Sequence, residues 1–161
     1  ANPALMASAK TSSAMVLTFH EILTKVNNAK DKAKKVEVLR QYDSPAFRQI
    51  LKGAFDPNIL WDLPKGPPPY IQNEAPLGTE HTYLDQEAKR LWHFVKGADM
   101  NLSKVKKETL FIQMLEGLHP TEATLLLNVV AKKLNNQYKG LTAAVVKEAF
   151  NWNDEFVKIE T

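Results

Sequence analysis

The residues best placed for chemistry lie near the C-terminal end, in "KKLNNQYKGLTAAVVKEAF", residues 132–150. Lys132, Lys133, Lys139 and Lys147 are cations grouped around a turn, and Gly140 and Thr142 stand where a new helix starts. A helix N-terminus exposes N–H groups that the helix itself does not satisfy, and it attracts anions. A glycine there allows a phosphate close to the backbone, and a threonine either caps the helix or donates to a phosphate oxygen. Asn135, Asn136 and Gln137 add hydrogen-bonding groups suited to a nucleic-acid backbone or minor groove. The plainer reading is a chain reversal ahead of a capped helix. Two other clusters, Lys30, Lys32, Lys34 and Lys35, and Lys104, Lys106 and Lys107, carry the same ambiguity. Runs of charge ordinarily mark solvated helix faces.

Catalytic and metal-binding patterns do not stand out. His20, His81, His93 and His119 never pair at i+3 or i+4, and there is no HExxH. The absence of cysteine excludes disulfides, thiolate ligands and thiol nucleophiles. Asp85 and Glu87, two positions apart, cannot face each other on a helix. "TEH", residues 79–81, is one candidate fragment, but a capped helix start explains it more simply. Phosphate-cradling GxxxxGK[ST] and GxGxxG loops are missing. The expectation is a protein with no catalytic residues, no metal and no small-molecule cofactor. A histidine beside a carboxylate in a deep pocket would reopen the question.

The elements that must position these residues follow from the pattern of apolar side chains. With 161 residues, 44% of them hydrophobic, the chain suits one domain with a real core. The net charge of +3 is too small to name a partner, so the placement of the lysines must decide. No apolar run approaches the roughly 18 residues that cross a bilayer. Thr18 and Glu21 have capping-box spacing ahead of Phe19, Ile22, Leu23 and Val26, predicting a helix over about 18–28. Ala33, Val36, Leu39 and Tyr42 mark a second helix over about 30–42. Ser44 as N-cap, Pro45 at the first position and Gly53 as the stop mark a third. Tyr83, Leu84, Ala88, Leu91, Phe94 and Val95 give a fourth, ending at Gly97. Ser103 caps a fifth, with Val105, Leu110, Phe111, Met114 and Leu115 inward. A sixth starts at Pro120, with Glu122 in its first turn and Lys132 and Lys133 in its last, as the helix dipole favours. "LTAAVVKEAF" is the seventh.

Between the third and fourth helices, "FDPNILWDLPKGPPPYIQNEAPLG" holds most of the nine prolines along with Phe55, Ile59, Leu60, Trp61, Leu63 and Tyr70. So many large apolar residues argue against a disordered linker and for an extended strap pinned to the helices. Trp61, Pro68 and Tyr70 would then present a partner surface, and the PxxP pattern within "PKGPP" raises an SH3-like partner. The expected fold is all-α: a compact bundle of about seven short helices with a long proline-rich, aromatic strap over about 55–78. The single helical domain runs over 15–152, after a small, polar, aperiodic 1–14 read as a leader or upstream extension and before a 153–161 tail.

The blocks "FDPNILWDLPKGPPPY", "PLGTEH", "EAKRLWHFVKGA", "ETLFIQMLEGLHPTEATLLL" and "YKGLTAAVVKEAF", in that order, resemble a family of small uncharacterised proteins of T4-like tailed phages, marine ones notably. That resemblance implies a phage origin and a place in the cytoplasm of the infected bacterial cell or in the virion. Two segments, "FHEILTKVNNAKDKAKKVEVLRQY…FRQILKGAFDP" and "VKKETLFIQMLEGLHPTEATLLLNVVAKKL…YKGLTAAVVKEAF", are similar to the N-terminal DNA-binding domain of ATP-dependent DNA ligases. This second likeness implies a phosphate grip at Lys139, Gly140 and Thr142 with Lys132 and Lys133 beside it. The ligase nucleotidyltransferase motif is missing, which excludes ligation. The expected function is a non-enzymatic phage accessory protein binding duplex DNA through backbone phosphates, without sequence preference. The alternative is a virion component or host-takeover adaptor that binds a phage or host protein and no nucleic acid.

Overall fold

The computed structural model describes residues 17–64, 66–76 and 82–159. The 1–14 segment and "TEH" lie outside the described residues. The fold is all-α, with eight α-helices and one 3-10 helix among the described residues and only isolated β-bridges besides. Among these residues no helix is long and apolar enough to cross a membrane.

The helix starts follow local chemistry. In α1 (Phe19–Asn28), Thr18 Oγ1 accepts from Glu21 N–H at 3.2 Å while Glu21 accepts from Thr18 N–H at 2.8 Å. Asp31 caps α2 (Lys32–Gln41), accepting from Lys34 N–H at 2.9 Å, and Ser44 caps α3 (Pro45–Phe55), accepting from Phe47 N–H at 3.1 Å. Ser103 caps α5 (Lys104–Gly117), and Pro120 opens α6 (Pro120–Val130). Each such cap is worth about 1 kcal/mol.

Three expected helices differ. The third runs through Gly53 to Phe55, because Gly53 is a packing site and not a stop. A Cβ there would lie 2.7 Å from Trp61 Cζ2. The fourth is a single turn, α4 (Leu84–Glu87), continuing as a 3-10 helix, Ala88–Phe94. Ala88, Leu91 and Phe94 repeat every third residue, the period at which a 3-10 helix stacks its side chains, and all three are buried. The sixth ends at Val130, so Lys132 and Lys133 are not in its last turn. Lys132 adopts φ +60°, and the chain restarts as α7 (Leu134–Gln137) before α8 (Ala143–Phe150).

Phe47, Ile50 and Leu51 of α3 and Leu125, Leu126 and Val129 of α6 lie in the centre of the core, all fully buried. Leu23 and Val26 of α1, Leu39 of α2 and Val146 of α8 close around them. Phe47 stacks between Phe19, at 5.1 Å, and Phe150, edge-on at 6.4 Å. Burial of each such side chain contributes roughly 1.5–3 kcal/mol. Val105 and Leu110 of α5, expected inward, are exposed, and so is Ala33 of α2. Beyond α8, residues 153–159 fold back: Phe156 is buried at φ +59° and packs on Trp152.

Candidate functional site

The strap lies against the bundle through specific bonds. Asp62 N–H donates to Phe94 O and Lys96 N–H to Leu60 O, each at 2.7 Å. The Trp61 indole N–H donates to Gly53 O at 3.2 Å. The Lys107 ammonium, 5% exposed, donates to Asp62 Oδ2 at 2.8 Å, with Lys104 3.7 Å from the other oxygen. Lys107 and the proton-poor state of the Asp62 carboxylate belong together: that hydrogen bond is the largest influence holding Asp62 below the usual carboxylate range. Lys107 is therefore withdrawn from the solvated cationic face that the spacing suggests, whereas Lys104 and Lys106 remain exposed.

Held in this way, the strap forms one wall of a groove of about 750 Å³. Leu60, Trp61, Leu63, Pro64 and Gly66 to Pro68 contribute that wall, and Phe111 of α5 with Leu127 and Val130 of α6 and its C-cap Ala131 the other. Glu108, Thr124, Asn128, Lys132 and Lys133 supply the polar lining. Leu60 is 54% exposed, a large apolar side chain open to solvent at the groove. Of the three expected partner-surface residues, Trp61 and Pro68 meet in this groove. Tyr70 is half-buried and packs against the core instead.

The basic corner is closed by the protein's own atoms. Lys132 Nζ donates to Gly53 O at 2.6 Å and Asp56 O at 2.8 Å, satisfying carbonyls at the C-terminal end of α3. Its burial lowers its pKa, against the pull of Asp56. Gly140 N–H donates to Asn27 Oδ1 at 2.8 Å. A Cβ on Gly140 would meet Lys35 Cε at 2.7 Å and Asn27 O at 3.2 Å, so the glycine serves close packing against the end of α1. Thr142 Oγ1 accepts from Val145 N–H at 3.2 Å, which caps α8. Asn135 donates to Leu141 O at 2.6 Å, and Gln137 accepts from Asn128 at 2.7 Å. Lys147 pairs with Asp154 at 3.0 Å and sits over the Phe156 ring, fixing the folded-back end. Lys132, Gly140, Thr142 and Lys147 thus each have a partner within the protein, and Lys132, Lys133, Lys139 and Thr142 are exposed.

What the corner does accomplish is to join two lysine clusters. Gly140 against Asn27 and Lys35 places Lys139 beside the α1–α2 turn that carries Lys30. Lys32 meets Glu148 of α8 at 3.1 Å, and Arg40 donates to Ala149 O and Glu148 O at the end of that helix. Sequence reasoning missed the burial of Lys107 and Glu122 within their helices. Their only signal is a charged residue on the apolar stripe of its helix.

Among the described residues, no group of three or more histidine, aspartate or glutamate side chains has the spacing of a metal site. No curated protein and no solved structure matches the chain. The pattern of one protein family matches residues 22–136, which includes the whole groove but neither α8 nor the corner at Lys139 and Gly140. The chain belongs to this family, which is one of unknown function (DUF6433).

Proposed function

We propose that this protein is a non-enzymatic binding protein that holds an apolar segment of a protein partner in the strap groove. The carrying observation is the groove itself, about 750 Å³ between a fixed strap and two helices, with an exposed leucine and the indole of Trp61 on its wall. Apolar clefts of roughly 300–1,000 Å³ with a few polar groups are the usual form of a binding site. Exposed Lys133 at its lining suits a partner segment with an acidic residue beside its apolar ones. The resemblance to T4-like phage proteins supports a phage or host protein as the partner, inside the infected cell or in the particle. The test places a photo-crosslinking residue at position 60 and identifies adducts in infected cells by mass spectrometry. A defined protein adduct, lost on Leu127→Glu, is expected. No adduct, or one indifferent to Leu127→Glu, overturns the reading.

A second reading, binding of duplex DNA through its phosphates, is favoured by the meeting of Lys139 with the Lys30–Lys35 cluster. The nearby carboxylates Glu37 and Glu148 pair with Lys34 and Lys32 and weaken the patch. Neutralising about four phosphates would give a log–log salt slope near −3.6. Gel retardation of duplex DNA at two salt concentrations, with Lys139→Glu as the variant, tests this. Absence of retardation at low salt removes it.

A further inference from the structure

Away from the groove, the 3-10 helix Ala88–Phe94 is long for its kind, since runs beyond 3–4 residues are uncommon. Its geometry has a chemical consequence. In an α-helix, positions three apart are rotated by about 60°, but in a 3-10 helix they eclipse. Glu87, Arg90 and His93 therefore stand in one row, next to the buried row of Ala88, Leu91 and Phe94. All three line a cavity of about 350 Å³, with Phe94, Leu110 and Met114 as its apolar part and Gln113 of α5 among its polar lining.

His93 is oriented from behind. Its Nδ1 lies 2.8 Å from Asp99 Oδ2, and Asp99 also accepts from Asn101 N–H at 3.2 Å, so the carboxylate is fixed in place. The bond to His93, more than any other influence, holds Asp99 below the usual carboxylate range. An ionised carboxylate only accepts, so Nδ1 carries the hydrogen and Nε2 of the neutral ring keeps its lone pair. Glu87, with a side chain 14% exposed, is the second acceptor. Its partner Arg90 is 65% exposed and 3.6 Å away, a loose ion pair at the rim that a ligand cation can replace.

We infer that this cavity binds a compact organic cation, an amidine or amine on an apolar body, donating to the Glu87 carboxylate and to His93 Nε2 while its body rests on Phe94 and Met114. Asp99 is a positioning residue, acting through the His93 tautomer. Trp92, stacked on the His93 ring at 4.0 Å between centroids and 45% exposed, reports on the same place.

The experiment titrates the full chain, with 15N-labelled imidazoles, with benzamidine, and with benzoate as the anion of matching shape. Benzamidine is expected to shift His93 Nε2 and the Trp92 indole saturably, and benzoate to shift neither. Glu87→Gln should weaken benzamidine binding by at least roughly tenfold while leaving the circular dichroism unchanged. Asp99→Asn should weaken it too and redistribute the proton between the His93 nitrogens, which a purely structural turn residue would not do. Benzoate bound as tightly as benzamidine, benzamidine indifferent to Glu87→Gln, or no saturable shift with either compound overturns the inference.

Discussion

Replacing Glu122 with glutamine is expected to remove a pH dependence that the fold builds into the wild-type protein. Glu122 is 1% exposed, in the first turn of α6, where the helix dipole favours a carboxylate. It accepts from Leu84 N–H at 2.9 Å and from the Phe19 N–H, so one side chain ties α6 to the starts of α1 and α4. Burial outweighs these bonds, and the charges of Asp85 and Glu21 add to it, so the pKa rises from 4.5 to about 7. The folded state holds this proton more tightly than the unfolded chain does. Its stabilisation is complete below about pH 4.5, declines as pH rises, and is gone above about pH 7. At about 1.4 kcal/mol per tenfold change in proton affinity, the loss is about 3 kcal/mol. Asp62 and Asp99, held below the usual carboxylate range by Lys107 and His93, act with the opposite sign at more acid pH. Urea unfolding of wild type and Glu122→Gln across about pH 4.5–8 gives two stability curves whose difference cancels every group they share. The glutamine amide, facing one of the two backbone N–H groups, adds an offset that does not vary with pH. The wild-type advantage should therefore shrink by about 3 kcal/mol from the acid to the alkaline end. A difference that stays level, or that grows with pH, refutes the assignment of a raised pKa to this buried carboxylate.

Three further outcomes follow from the geometry. Lys107→Met leaves Asp62 without its closest cation and should cost about 2–3 kcal/mol in chemical unfolding; at Lys106, which is exposed, the same change should cost under about 0.5 kcal/mol. Gly53→Ala puts a methyl group 2.7 Å from the Trp61 ring. It should cost about 1–3 kcal/mol and red-shift Trp61 fluorescence as the ring moves toward solvent. Lys132→Ala leaves two carbonyls at the end of α3 without this donor, and a loss of about 1–3 kcal/mol is expected, where Lys133→Ala should change little.

What sequence alone determined is what neighbours within three or four positions decide. Thr18, Ser44, Ser103 and Thr142 cap their helices because the N–H groups they satisfy lie three residues on. The stripes of α1 and α3 face the core because helical periodicity fixes which side chains share a face. The strap was legible too, because prolines and large apolar residues together require an extended but packed chain. The partners of the polar groups were not legible. Lys132 bonds to carbonyls 79 and 76 residues away, Gly140 to an asparagine 113 away, and Lys107 to an aspartate 45 away. Nothing local distinguishes a lysine that will cap a distant helix from one that faces a phosphate. The difference rests on which elements the bundle brings together, and that holds equally for the groove. Whether Glu87, Arg90 and His93 splay apart or align turned on 3-10 rather than α winding, which packing of Ala88, Leu91 and Phe94 against the rest of the core decided.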